Sequence, residues 1–189
     1  MKKSFIILIA MILLTASFIS AQTANDPALK TFINNFSARN FTTDAVTKAQ
    51  LDIILQAGIR SPSAGNRQPW LFTVVQNLDF AKQLVPQATA GNALIVVSAA
   101  GDGKTNGAAI LDCALAVQSI YLAAQAIGLG SRIYTGPMDN INRSFKTQLG
   151  LPAGHSAVAV VRIGCLPAGT DAVSSASARN SADRMVIWK

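Results

Sequence analysis

Apolar and polar positions along this chain change period several times, and each change predicts an element. Residues 27–36 read as a short helix after a small, polar stretch that begins at Gln22. Val46, Leu51, Ile54 and Leu55 then share one helical face; Thr43 or Asp44 is the expected N-cap, and Gly58 the expected stop. Residues 71–75 alternate and predict a strand, and 79–84 predict a short helix. The continuous apolar run 93–100 predicts a strand buried on both faces, with a turn over 101–104. The longest periodic segment, about 108–127, carries two stripes: Leu111, Leu115, Gln118, Leu122 and Ala126 on one, and Ile110, Val117 and Tyr121 on the other. A helix apolar nearly all round is either central or part of a subunit interface. After Gly128-Leu129-Gly130 and a stretch 131–134 that no pattern assigns, a polar helix is expected over 138–149, then a strand over 157–164. From Leu166 onward the Ala- and Ser-rich sequence reads as an extended arm. Its apolar end, Met185-Val186-Ile187-Trp188, would be exposed unless it docks.

Strands and helices interleave without regular βαβ spacing. No G-x-G-x-x-G follows a first strand and no G-x-x-x-x-G-K-[ST] occurs, which argues against a dinucleotide-binding Rossmann fold and a P-loop enzyme. With 189 residues, half of them hydrophobic, the chain can bury one sizeable core and is short for two domains.

The first 21 residues stand apart from that pattern. Lys2 and Lys3 precede a nearly unbroken apolar run from Phe5 to Ile19, and Ala21 supplies a small residue before Gln22. This is the layout of a signal peptide (1–21) ahead of one domain (22–189), so an exported chain, periplasmic or secreted, is expected. The run of about 15 residues is short of the roughly 20 that span a bilayer, so no stable membrane insertion is expected after cleavage.

Sixteen Lys and Arg outnumber nine acids, all of them Asp, and the excess remains five without Lys2 and Lys3. The basic residues are scattered and aromatics make up 6%, unlike the clustered basic face of a nucleic-acid binder. A few arginines around a phosphate suit the charge equally well. Cys113 and Cys165 lie in an apolar helix pattern and at the end of an apolar strand pattern, where free cysteines pack as small hydrophobes. His155 is the only histidine, so a metal cluster or a Ser-His-Asp arrangement has little to build on. It reads as structural, as does Trp70.

The loop 60–70 is densest in chemistry. By composition alone, its Ser, Asn, Gln, Gly and Pro would be an ordinary turn cluster leading into a strand. The order is more telling: Pro62-Ser63-Ala64-Gly65-Asn66-Arg67-Gln68-Pro69-Trp70 resembles the P-S-[AS]-x-N-x-Q-P-W segment of the FMN-dependent nitroreductase family. Ser37-Ala38-Arg39-Asn40-Phe41 resembles that family's R-x-S-x-[RK]-x-F phosphate motif. Residues 126–131 resemble the A-x-G-L-G-S that closes its long central helix, and Gly150-Leu151-Pro152 precedes a strand as in its final core strand. The resemblance runs from about residue 30 to the end.

This resemblance implies an α+β fold, with a mainly antiparallel central sheet flanked by helices, in an intertwined homodimer. FMN would bind between the subunits. Ser37 and Arg39 match phosphate-holding positions, and Arg179 matches a C-terminal arginine that closes on the phosphate. Pro62, Ser63, Ala64, Asn66 and Gln68 match the loop lining the ring and ribityl chain, and Thr135 and Gly136 match a segment approaching the reactive edge from the other subunit. Two positions depart: Asn35 and Ser177 stand where the family has basic residues. The implied activity is two-electron transfer from NAD(P)H through bound flavin to a nitroaromatic or quinone-like small molecule, with no obligatory catalytic side chain. A flavin carrier without turnover is the alternative, and a third is outward oxidation of a substrate. Export and a cytosolic nicotinamide donor conflict. Either the leader is not an export signal, or the donor is a membrane or periplasmic electron carrier, or the protein works differently.

Overall fold

A computed structural model describes residues 26–101, 107–171 and 175–189. The expected leader, 1–21, and the residues after Gly101 in the expected turn lie outside these ranges.

Four antiparallel strands form the sheet: β1 (Trp70–Val75), β2 (Ala93–Ala100), β3 (Leu129–Tyr134) and β4 (His155–Cys165), in the order β1-β2-β4-β3. The helices are α1 (Pro27–Ile33), α2 (Lys48–Ile59), α3 (Leu78–Leu84), α4 (Gly107–Ala126), α5 (Met138–Ser144) and the single turn α6 (Ala182–Met185). The fold is α+β, as expected, and its core has two layers. Ala93, Ile95 and Val97 of β2 join Val161 and Ile163 of β4 under α2 and α4. On the other face, Leu94, Val96 and Val160 meet Ala81 and Leu84 of α3 and Ile141 of α5. The unbroken apolar run of β2 thus reflects helices on both faces of an antiparallel sheet. A bulge shifts the register between Val97 and Ser98, so that Ala157 and Val160 of β4 face the same layer although three residues apart.

Two expectations need correction, and one unassigned stretch gains an element. The N-cap of α2 is Thr47, in a capping box with Gln50, and not Thr43 or Asp44. Thr42 and Asp44 instead bond to each other in the preceding turn. The polar helix expected over 138–149 ends at Ser144, and turns carry the chain to Gly150. The unassigned stretch 131–134 belongs to a strand, β3, whose Gly, Ser and Arg residues hide the apolar signal.

In α4 the face toward the sheet is built from Ala109, Cys113, Ala116, Val117 and Ile120. Small side chains let the helix lie close to the strands. Leu111 and Leu115 point outward, 68% and 45% exposed, and join exposed Phe32, Ile53 and Ile59 on the outer surface of α1, α2 and α4. Met185, Val186, Ile187 and Trp188 at the chain end are exposed as well.

Candidate functional site

The segment 36–42 is held against the start of β3 by long-range bonds. Ala38 donates its N–H to the Ser131 carbonyl at 3.0 Å, and Thr42 donates to the Cys165 carbonyl at 2.9 Å. Gln125, the last polar residue of α4, accepts from the Phe36 N–H at 3.1 Å and donates to its carbonyl at 3.1 Å and to Ser131 Oγ at 2.9 Å. Beneath the segment lies Arg162, 3% exposed, donating to Asn92 Oδ1 at 2.6 Å and Thr89 Oγ1 at 3.1 Å, with its guanidinium 4.3 Å from the Phe41 ring centroid. A buried cation bonded in this way pins Phe41, and through it the preceding residues, to the sheet.

Ser37, Arg39 and Asn40 project from this segment into a cavity of about 450 Å³, closed on the far side by Pro167, Thr170 and Ser175. Its hydroxyl, guanidinium and carboxamide donors have the chemistry of a phosphate cradle. Asp171 also borders it. Arg179 does not. Its guanidinium donates to the Ser177 carbonyl at 2.7 Å, and its charge acts on the Tyr121 phenol. Burial pushes that phenol up from its ordinary pKa, while the bond to Gln125 and the Arg179 charge work the other way. Asn35, at an expected basic position, donates to the Phe32 carbonyl at 2.6 Å, at the end of α1.

The loop 62–68 is preorganised at the other end of α4. Asp112, 5% exposed, accepts the Ala64 N–H at 3.0 Å, and Ser61 Oγ lies 2.8 Å from Ser119 Oγ. Asn66 and Gln68 adopt the left-handed region, with φ of 55° and 46°. Such backbone costs on the order of 1–3 kcal/mol per residue and persists only where neighbours impose it. Here Ser63 Oγ accepts the Gln68 N–H at 3.0 Å, and the Gln68 amide donates to Asn66 Oδ1 at 3.1 Å. Ala64, Asn66 and Gln68 are themselves exposed, and Pro62 borders an apolar groove of about 460 Å³ with Phe32, Leu115 and Leu122.

Thr135 and Gly136 follow the far end of β3. Gly136 walls a third cavity, also about 460 Å³, with Arg132, Tyr134, Gln83, Gln87 and Asn140. Five residue steps along β3 separate its two ends, about 17 Å at the rise of a strand. One edge strand therefore carries a phosphate-like cradle near its start and a second cavity of similar volume at its end, a layout suited to an elongated ligand.

One chain does not bring all the expected residues together. Ser37 and Arg39 are anchored through Gln125, whereas the 62–68 loop is anchored through Asp112. Thirteen residues of helix separate these anchors, about 20 Å. Asp112, Gln125, Arg132 and Arg162 were not singled out from sequence. The available signal was a polar residue inside an apolar run, since burial obliges it to find a partner.

Trp70 stacks on Phe72 with centroids 6.5 Å apart and packs on the core. His155 opens β4 with a buried Nδ1 that lacks a partner among the described residues. Cys113 and Cys165 are free, and the Cys113 thiol is pushed up to about 11 by burial and by the adjacent Asp112 carboxylate.

A model of the nitroreductase family matches residues 35–96 and 89–165. An Archaeoglobus fulgidus protein provisionally named NADH dehydrogenase/NAD(P)H nitroreductase is 30% identical over 149 residues, covering 74% of this chain and 85% of that protein. A crystal structure of a protein with the same provisional name from Parabacteroides distasonis superimposes with a TM-score of 0.70 at 26% identity, covering 85% of this chain and 96% of that one. A nitroreductase from Bacteroides fragilis, crystallised with bound FMN, gives a TM-score of 0.70 at 22% identity, covering 86% and 98%.

Proposed function

This chain belongs to the nitroreductase family, and on that premise we propose that it is a homodimeric FMN oxidoreductase, passing two electrons from a reduced nicotinamide to a nitroaromatic or quinone-like acceptor. The carrying observation is the separation of the two site halves on α4. A cofactor lying along β3 would meet Ser37 and Arg39 at one end and Gly136, next to Thr135 in the chain, at the other, but not the 62–68 loop of its own chain. A second copy docked on the outward apolar face of α1, α2 and α4 would supply that loop, because Pro62 sits on the rim of that face. Burying Phe32, Ile53, Leu111 and Leu115 favours such docking. The apolar end at 185–188, exposed on the single chain, would find a place across the partner's sheet in the same assembly.

The donor set fits FMN. Ser37 and Arg39 would hold the phosphate, while Ser63, Asn66 and Gln68 of the partner copy, locked by their mutual bonds, would face the ring and ribityl chain with little ordering cost. Bound FMN supplies the hydride chemistry, and the protein supplies orientation and electrostatics. Arg179 would reach the phosphate only by leaving the Ser177 carbonyl. In an exported chain the donor in place would be an electron carrier outside the cytosol; in the cytosol it would be NAD(P)H.

The test is anaerobic mixing of the purified FMN-loaded protein with NADH or NADPH, followed by a nitroaromatic. Bleaching of the flavin band and its return on addition of the acceptor support the enzyme. A bound flavin that neither nicotinamide reduces refutes it and leaves the carrier reading.

A further inference from the structure

We propose that Arg132 is the group that sets the electron affinity of a flavin held along β3, by stabilising the negative charge that the ring gains on reduction. The inference rests on the flavin reading above and concerns a residue outside the motifs that carry the family resemblance. Strand alternation turns Arg132 and Tyr134 to the face opposite Ser131, where both wall the cavity that Gly136 borders. The other polar walls are the carboxamides of Gln83, Gln87 and Asn140. Among the described residues, no carboxylate lines that cavity.

Two contacts fix where the guanidinium goes. It lies 5.2 Å from the Tyr134 ring centroid, which holds the long side chain against the strand. Its partner across the β3–β4 ladder is the buried Arg162. Like charges directly opposite repel, so Arg132 is turned away from the sheet interior and toward the cavity. The cavity thus carries a fixed positive charge and no acidic wall residue to offset it.

A flavin ring that accepts a hydride from a reduced nicotinamide takes up two electrons and one proton, and so gains one negative charge. In a titration the two electrons come from dithionite and the proton from water. A nearby cation therefore binds the reduced form more tightly than the oxidised one. For a partly buried charge close to the ring, the preference would be about tenfold.

The experiment measures the two-electron midpoint potential of bound FMN by dithionite titration of the wild type, Arg132→Met and Arg132→Lys, with dissociation constants for oxidised FMN and riboflavin. Arg132→Met is expected to abolish the tenfold preference, lowering the potential by about 30 mV, while Arg132→Lys keeps it. FMN and riboflavin should respond alike, since the effect is on the ring. An unchanged potential in Arg132→Met overturns the proposal, as does a loss of FMN affinity that spares riboflavin, which would make Arg132 a phosphate ligand. Should Arg132→Met not fold, Arg132→Gln removes the same charge with a polar side chain. Wild-type protein that takes up no flavin defeats the underlying reading too, whereas flavin bound at an unshifted potential defeats this inference alone.

Discussion

Replacing Gly130 by alanine adds one methyl group where β3, the 37–41 segment and Leu166 converge. A Cβ there would lie 2.5 Å from Leu166 Cδ2, 2.9 Å from Ala38 Cβ and 3.0 Å from Phe41 Cε1. The Leu166 side chain can rotate away, but Ala38 Cβ is attached directly to the backbone and cannot. Relief must move the chain at Ala38, between Ser37 and Arg39, and strain its 3.0 Å bond to the Ser131 carbonyl. Overpacking of this kind costs about 1–3 kcal/mol. At roughly 2–4 °C per kcal/mol for a domain of this size, the melting temperature should fall by about 2–12 °C. FMN affinity should fall further than riboflavin affinity, because the displaced segment lines the cavity proposed to hold the phosphate. Thermal denaturation and fluorescence titration with both flavins read the two effects. Gly128→Ala is the control: φ there is 82° with nothing within 4 Å, so its cost is backbone strain alone and FMN affinity should hold. Wild-type stability and FMN affinity in Gly130→Ala would show that the close approach at Gly130 does not position the segment, as would an equal loss for both flavins.

Arg39→Ala should weaken FMN about 10- to 100-fold, the worth of one charged hydrogen bond, and leave riboflavin unaffected; because Arg39 is exposed, the difference should shrink as salt rises. Cys113 makes stability pH-dependent on the alkaline side. Its folded pKa, about 11, exceeds the ordinary thiol value of 9.0, so above pH 9 the unfolded thiol ionises first and stability falls until about pH 11. The loss is on the order of 2–3 kcal/mol, and thermal melts of Cys113→Ala should show a flatter decline over that range than the wild type. Removing residues 185–189 takes away the exposed Ile187 and Trp188 and should raise the dimer dissociation constant, measured by sedimentation; an unchanged constant would show that the tail docks elsewhere.

Much of the fold was legible because its strongest signals are local. The unbroken apolar run of β2 and the alternation in β1 place both strands to within a residue. β3 was not legible, since an edge strand carrying Gly130, Ser131 and Arg132 has no clean period. The α2 cap was missed for a different reason: Thr43, Asp44 and Thr47 are all capping residues, and only the partner Gln50 three residues on singles out Thr47. On α4 the stripes were visible but not which faced inward; the sheet took the small side chains and left Leu111 and Leu115 outside. At the candidate site, ordered motifs indicated Ser37, Arg39 and the 62–68 loop. Their supports were invisible, because Ala64 meets Asp112 48 residues away, Phe36 meets Gln125 89 away, and Asn92 meets Arg162 70 away. No local pattern encodes such pairings.

The proposed function requires a flavin shared between two copies of this chain. Its most direct test is the visible absorption spectrum of the purified chain after incubation with FMN and gel filtration, read together with the mass of the eluting species. One FMN per chain, retained on a dimer, is expected. A monomer, or a dimer that emerges without flavin, would contradict it.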